Sequence, residues 1–154
     1  MNPTTFWACT TLFASAPCAF GLATPVTFST TAADLRELWS RIVFNLLVSN
    51  TDDHLRNHGF ILVPGKGWHL SPAYDMNSVP GSQGLKLNIS QADNALDLDL
   101  ARSVAPYFRV GVKVANEFIE RSQAVVRQWP KVAAKLGIST REQGRMASAF
   151  GLAK

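Results

Sequence analysis

The stretch that decides the fold is FNLLVSNTDDHLRN, residues 44–57, in which an apolar helical pattern ends and a dense polar cluster begins. Upstream, apolar residues recur at helical spacing from Leu35 to Leu47, and Thr31 with Asp34 matches a capping box in which Asp replaces Glu. We therefore predict a helix from Thr31 to about Ser49. Because its apolar stripe is wide, we expect this helix to lie in the core.

Downstream of the polar cluster, the pattern predicts a β-hairpin followed by helices. Residues 60–63 read as a strand, 64–67 as a turn and 68–70 as the return strand, after which residues 71–75 run extended. Three later segments are expected to be helical: Leu96 to about Tyr107, Val112 to Trp129, and a tail with a helix start at Pro130, an end at Gly137 and a capping box at Ser139–Glu142 that opens a last helix through Phe150. The predicted fold class is mainly α with a small β-hairpin.

Composition limits the class of protein. The chain has 154 residues, of which 47% are hydrophobic and 17% charged, so it can bury the core of one domain and is too apolar for a disordered chain. Cys9 and Cys18 cannot supply a disulfide framework for a domain of this size. With no transmembrane pattern in the sequence either, we expect a cytoplasmic protein with no membrane partner.

Charge is distributed unevenly along the chain. Residues 1–33 contain no charged side chain, residues 34–100 carry five basic and eight acidic ones, and residues 101–154 carry ten basic and three acidic ones. We interpret residues 1–33, with their three prolines, as a disordered or non-native leader, a secretory signal being the alternative, and place the domain at 34–150. The basic residues of the tail are scattered singly, which favours solvated helix faces over direct nucleic-acid binding.

Spacing within the polar cluster points to phosphoryl transfer. Asp52 and Asn57 stand in the order Asp-x-x-x-x-Asn, as in a protein-kinase catalytic loop, and Asp75 follows just beyond the predicted hairpin, where a second metal-binding carboxylate is expected. Mg²⁺ takes a few oxygen ligands from a protein and keeps several waters, so one carboxylate and one amide oxygen would suffice. The sequence departs from the usual kinase signature, because Asn50-Thr51-Asp52 replaces His-Arg-Asp and there is no Asp-Phe-Gly.

The residues from Phe44 to Asn57 closely resemble the catalytic segment of HipA-type serine/threonine kinases, and those from Trp68 to Met76 resemble the metal-binding segment that follows it in that family. The resemblance extends more weakly from about Asp34 to Phe150. It implies a kinase-like C-lobe, the C-terminal domain of a HipA-type protein. Members of the family are toxins of bacterial type II toxin–antitoxin modules, are held by a DNA-binding antitoxin, and in the best-known kind phosphorylate an aminoacyl-tRNA synthetase.

The resemblance also implies roles for individual residues. Asp52 would be the catalytic base, with Asn57 and Asp75 as ligands of Mg²⁺ and ATP as co-substrate. Three further residues fall where the family approaches the nucleotide or its phosphates: His54, Arg56 and Tyr74.

Parts of a complete kinase are missing from the sequence. There is no Gly-rich phosphate loop, and neither Lys66 nor Lys86 lies in a motif that would identify it as the lysine that pairs with the nucleotide phosphates. The chain therefore resembles the C-terminal part of a kinase, truncated or with a separately encoded N-terminal lobe. Because positioning and electrostatic stabilisation supply nearly all the catalysis in phosphoryl transfer, we expect weak or undetectable activity from the isolated chain.

Two other interpretations remain open from the residues alone. His54 and His58, with Asp52, Asp53 and His69 nearby, could bind a transition metal in a hydrolase. Alternatively, the chain is a non-catalytic binding module or a remnant of a toxin–antitoxin kinase. The role of Asp53 is undecided, because it could either hold the loop or face water.

Overall fold

The computed structural model describes residues 31–154, so the predictions made for residues 1–30 lie outside the described residues. It is mainly helical, with one two-stranded antiparallel hairpin. The elements in chain order are α1 (Ala32–Leu47), β1 (Phe60–Val63), β2 (Gly67–Leu70), α2 (Leu98–Val104), α3 (Val112–Val126), α4 (Trp129–Lys135) and α5 (Thr140–Met146). Short 3₁₀ turns occupy Leu55–Asn57, Ala105–Phe108 and Ala147–Ala153.

Helix α1 is the central element, as its wide apolar stripe predicts. Leu46, Leu47 and Val43 are fully buried in it, and it packs against α2, α3, β2 and the two later 3₁₀ turns. The Trp39 indole is 1% exposed, donates its N–H to the Ala101 carbonyl at 2.9 Å, and lies 5.5 Å from the ring of Phe118. This one side chain therefore joins α1 to both α2 and α3.

Both predicted capping boxes are present. The Thr31 hydroxyl accepts from the Asp34 amide at 3.1 Å while the Asp34 carboxylate accepts from the Thr31 amide at 3.0 Å, and Ser139 with Glu142 repeats the arrangement at α5. The predicted hairpin is also confirmed, with Phe60 opposite Leu70 and Val63 opposite Gly67. Gly65 and Gly67 have φ of 75° and 89°, which explains the two glycines of its turn.

The helical tail differs in detail from its prediction. The segment expected to be helical from Leu96 to Tyr107 is helix only over Leu98–Val104, and then tightens into the 3₁₀ turn. The expected helix to Trp129 ends at Val126, and Trp129 opens α4 with Pro130 in its first turn. The last helix ends at Met146 and continues as 3₁₀ turns instead of running through Phe150.

Burial along α3 is narrower than its apolar pattern suggests. Ala115 and Ile119 are buried, but Val125, which continues the apolar pattern of the helix, is 66% exposed. The elements of residues 31–154 that pack most closely against α3, which are α1, α2 and the two later 3₁₀ turns, leave this part of the helix uncovered. No helix in the described part of the chain combines the length and apolarity that a membrane crossing requires.

Candidate active site

The C-terminal end of helix α1 fixes the position at which the polar loop begins. Ser49 has a φ of 50°, in the left-handed region, and its amide donates to the Leu46 carbonyl at 3.2 Å. The Asn50 amide then donates to the Asn45 carbonyl at 2.8 Å. Because Ser49 and Asn50 are both buried, residues 51–59 leave the core from a fixed anchor. We call residues 51–59 the catalytic loop, after the role that the sequence predicts for Asp52.

A second segment, residues 71–79, lies beside the catalytic loop, and we call it the metal segment, after the Mg²⁺ ligand that the sequence predicts at Asp75. The hairpin pairing continues beyond Phe60 and Leu70, because the Ser71 amide donates to the Gly59 carbonyl at 2.8 Å. The Tyr74 hydroxyl then donates to the Arg56 carbonyl at 2.5 Å. Asn57 directly follows Arg56 in the chain, and Asp75 directly follows Tyr74, so the two predicted metal ligands are the immediate neighbours of the two residues in this contact.

The far ends of these two segments are joined as well. The Val79 amide donates to the Ser49 carbonyl at 3.1 Å. At the near end, a Cβ on Gly59 would lie 3.2 Å from the Ser71 hydroxyl and 3.4 Å from that of Tyr74, so this approach favours glycine. The catalytic loop and the metal segment are therefore the two arms of the hairpin, extended and held together at both ends.

Asp52 lies on the exposed side of the catalytic loop. Its carboxylate is 61% exposed and pairs through Oδ1 with the Lys86 ammonium. The hydrogen bond and charge of Lys86, with a smaller contribution from the charge of His54, hold the pKa of the Asp52 carboxyl below its usual value. Asp52 is thus an ionised, accessible carboxylate, which is the state that a general base requires.

Asp53 has the opposite environment, because it is buried. This burial answers whether Asp53 holds the loop or faces water, which the sequence leaves open. Asp53 is 5% exposed, accepts from the Asn45 side chain at 2.9 Å, and lies 3.0 Å from His58 Nε2. The Asn50 side chain donates in turn to Asn45 at 3.0 Å. This buried network connects α1 to both ends of the catalytic loop, so Asp53 holds the loop and does not face water.

The other predicted site residues differ in their exposure and in their hydrogen bonds. Asn57 is 6% exposed, and within residues 31–154 its side chain makes no hydrogen bond. Asp75 is exposed, has a φ of 57°, and accepts from the Asn77 side chain at 2.7 Å through one oxygen. In the same described range, His54 Nδ1 is buried without a hydrogen-bond partner. The Arg56 side chain is exposed, and Tyr74 is 46% exposed.

Two further residues contact the site, although no motif in the sequence marks them. Arg41 of α1 is 5% exposed, pairs with Glu37 at 3.0 Å, and donates to the Ser71 carbonyl at 2.5 Å, which anchors the start of the metal segment. Lys86, which contacts Asp52, stands between the buried Leu85 and Leu87. The Leu-Lys-Leu order can be read from the sequence and suggests that Lys86 is exposed. It does not predict a contact with Asp52.

A transition-metal site does not fit this arrangement. His54 and His58 flank a single 3₁₀ turn instead of sharing a helix face, and His58 is committed to Asp53 while His69 lies 3.2 Å from Asp34. Across residues 31–154, no group of three His, Cys, Asp or Glu side chains is arranged to hold a metal ion. The geometry therefore counts against the hydrolase interpretation.

Comparison with known proteins agrees with the sequence resemblance. Residues 15–129 match the model of the HipA-like C-terminal domain, which covers more than half of the chain. The match begins within the uncharged residues 1–33, upstream of the predicted start of the resemblance at about Asp34, and ends where α4 starts.

A curated relative, named "Putative kinase Y4dM", comes from Sinorhizobium fredii (strain NBRC 101917 / NGR234). It is 34% identical over 106 residues, which are 62% of this chain and 26% of the relative. The chain therefore spans about a quarter of the length of that protein. No solved structure matches the chain.

Proposed function

Because the chain belongs to the HipA-like C-terminal domain family, we propose that it carries the catalytic half of an ATP-dependent protein serine/threonine kinase, with the fold of a kinase-like C-lobe. The observation that carries this proposal is the joining of the catalytic loop to the metal segment at Gly59, Arg56 and Ser49, with an ionised Asp52 on the accessible side. The relationship to kinases is supported by the 34% identity to the S. fredii protein.

In this proposal Asp52 is the general base. Its exposed carboxylate accepts the proton of a serine or threonine hydroxyl as that oxygen attacks the γ-phosphorus. The buried Asp53 network fixes the loop below it, so Asp52 keeps its position as substrate arrives. A base placed in this way contributes roughly 10²–10⁴-fold to the rate.

The chemistry of Asn57 and Asp75 fits a magnesium ion. Asp75 has one carboxylate oxygen not used by Asn77, and the side chain of Asn57 makes no hydrogen bond within residues 31–154. These are two hard oxygen donors on neighbouring segments, which suits an ion that takes few protein ligands and keeps its waters. When bound, Mg²⁺ would neutralise charge on the β- and γ-phosphate oxygens.

Three residues are proposed to contact the nucleotide. The buried Nδ1 of His54 lacks a partner among the described residues, and such an atom is expected to meet a ligand or water. The Arg56 side chain is exposed and available to a phosphate. Because the Tyr74 hydroxyl is used on the Arg56 carbonyl, Tyr74 offers its ring rather than its hydroxyl.

The proposed partners follow from the family. We expect a protein substrate, and a DNA-binding antitoxin or a separate N-terminal lobe as the binding partner of this domain. A separate lobe would supply the phosphate loop that this sequence lacks. For the isolated chain we therefore expect weak transfer at most.

The test is transfer of labelled phosphate from ATP in the presence of Mg²⁺, to the chain itself or to casein as a generic acceptor. We expect slow transfer that Asp52→Asn reduces by at least about 100-fold. Asp99→Asn is the matched control, because Asp99 is an exposed carboxylate on α2. Equal and measurable transfer by the Asp52→Asn and wild-type chains would show that Asp52 is not the base.

A second function is favoured by a different observation. An apolar groove of about 410 Å³ lies among the end of α1, α3, α4 and α5, and its wall includes Val125 and Leu136, which are 66% and 73% exposed. A non-catalytic binding module would use such a groove for the apolar side chains of a protein partner. This function predicts that the wild-type chain does not bind Mg·ATP, whereas the kinase function predicts that it does.

A further inference from the structure

The Lys86 ammonium lies against the carboxylate of Asp52, from a segment 34 residues further along the chain. Both side chains are more than half exposed, at 59% for Lys86 and 61% for Asp52. An exposed ion pair of this kind contributes little to stability. A structural role is therefore a weak explanation for its position on the proposed base.

The backbone around Lys86 is held firmly. Leu85 and Leu87 are 4% and 6% exposed, whereas the Lys86 side chain between them is 59% exposed. The Leu85 amide donates to the Asn94 carbonyl at 2.9 Å, and the Asn94 side chain donates back to the Leu85 carbonyl at 2.6 Å. These contacts fix the point from which the lysine side chain extends.

The same segment is also attached to the catalytic loop. The Thr51 hydroxyl, one residue before Asp52, donates to the Ser82 hydroxyl at 2.9 Å. Lys86 therefore reaches Asp52 from a segment joined to the loop and anchored in the core. The fold therefore places the Lys86 ammonium beside the carboxylate of the proposed base, Asp52.

We propose that Lys86 is a catalytic residue that binds the γ-phosphoryl group of ATP beside Asp52. This inference rests on the proposed kinase function and adds a residue to it. In phosphoryl transfer the negative charge is spread over the three equatorial oxygens of the moving group, next to the base that receives the hydroxyl proton. A lysine ammonium has three N–H donors, so it can contact Asp52 and a phosphoryl oxygen at the same time.

The step balances with these groups alone. The substrate hydroxyl oxygen forms a bond to the γ-phosphorus, and the bond from that phosphorus to the bridging oxygen of ADP breaks. The bonding electron pair leaves with ADP, and the hydroxyl proton passes to the Asp52 carboxylate. Lys86 keeps its three protons throughout, and donates hydrogen bonds to the γ-phosphoryl oxygens.

The experiment is an NMR titration of the ¹⁵N-labelled chain with Mg·ATP and, separately, with Mg·ADP. The wild-type chain should bind ATP more tightly than ADP. Lys86→Met should weaken ATP binding about tenfold, the effect of losing one hydrogen bond to a charged group, and change ADP binding less than twofold. Lys86→Arg should restore most of the ATP affinity.

Lys66→Met is the matched control, since Lys66 is an exposed lysine in the hairpin turn, and it should change neither affinity. Unchanged ATP binding in Lys86→Met, or an equal loss for ATP and ADP, would overturn the role of Lys86 at the γ-phosphate and leave the role of Asp52 standing. If the wild-type chain binds neither nucleotide at millimolar concentration, the proposed kinase function fails, and this inference fails with it.

Discussion

At the scale of single residues, Asp52 and Asp53 are adjacent in the chain yet meet opposite environments. Asp52 is exposed and pairs with Lys86, whereas Asp53 is buried and pairs with Asn45 and His58. A carboxylate that is buried and fully engaged positions other groups, and one that is exposed and ionised can take part in chemistry. The two roles come from the surroundings and not from the residue type.

We expect Asp53→Ala to lower the free energy of unfolding by about 3 kcal/mol, because it removes the buried carboxylate that accepts from Asn45 and lies against His58. Urea unfolding at pH 7 measures this loss. Asp99→Ala is the control, since Asp99 is 84% exposed in an ion pair with Arg102, and it should change stability by only about 0.5 kcal/mol. A loss for Asp53→Ala as small as that of the control would contradict the positioning role.

Lys86 should also control the ionisation of Asp52. Lys86 lowers the pKa of the Asp52 carboxyl, with a smaller contribution from His54, so Lys86→Met should raise that pKa toward its usual value. In the variant the carboxylate takes up its proton at a higher pH, and the acid limb of any transferase activity moves upward with it. The ¹³C chemical shift of the Asp52 carboxyl against pH measures the change, and an unaltered titration in Lys86→Met would mean that the two groups do not interact in solution.

At the scale of elements, the start of α1 is joined to the hairpin through Asp34. Its carboxylate completes the capping box with Thr31, accepts from the Leu70 amide at 3.1 Å, and lies 3.2 Å from His69. Burial raises the pKa of Asp34, but the hydrogen bonds from Thr31 and Leu70 and the charge of His69 outweigh it, so the pKa is lowered below 3.8. One side chain therefore caps a helix and aligns a strand.

Asp34→Ala should cost about 2 kcal/mol at pH 7, at the upper end for a cap, because it removes the tie to β2 as well. Since the folded-state pKa is depressed, this stability is present above pH 3.8 and is lost as the pH falls through the folded value. Urea unfolding at pH 7 and at pH 3 should show the difference between wild type and variant shrinking at low pH. Glu142→Ala, in the exposed capping box of α5, should lower the free energy of unfolding by less. Equal losses for Asp34→Ala and Glu142→Ala would mean that the contact of Asp34 with β2 adds no stability.

At the scale of the whole molecule, one apolar cluster built around α1 supports the polar loop. α2, α3 and the C-terminal 3₁₀ turn contribute Ala101, Ile119 and Ala153 to it. The hairpin lies at the edge of this core, with Ile61 and Leu62 of β1 48% and 57% exposed. The core therefore fixes the start of the catalytic loop, while the hairpin extends from it with little burial of its own.

We expect Ile119→Ala to lower the free energy of unfolding by about 3 kcal/mol, through lost burial and the cavity left behind. Val114→Ala, on the same helix, removes a side chain that is 56% exposed and should cost only about 0.5 kcal/mol. Thermal and urea unfolding of the two variants measure the difference. Similar losses would place Ile119 outside the cooperative core.

Local sequence patterns are sufficient to predict the elements and the order of the residues that could carry chemistry. The span of α1, both capping boxes, the hairpin and its turn are confirmed, because each depends on residues within a few positions or on a periodic pattern. The spacing of Asp52, Asn57 and Asp75 and the family resemblance were readable in the same way, and the family model agrees with that resemblance. Their roles as base and metal ligands stay predictions.

Contacts between side chains that are far apart in the chain depend on packing and cannot be predicted from local patterns. The contact of Arg41 with Ser71 spans 30 residues and that of Lys86 with Asp52 spans 34, so no local rule could give either. Burial depends on packing in the same way, since Val125 continues the apolar pattern of α3 but stays exposed where no element of residues 31–154 covers it. The physical reason is that periodicity records which face of an element is apolar, whereas packing alone determines what that face, and the polar face opposite, will contact.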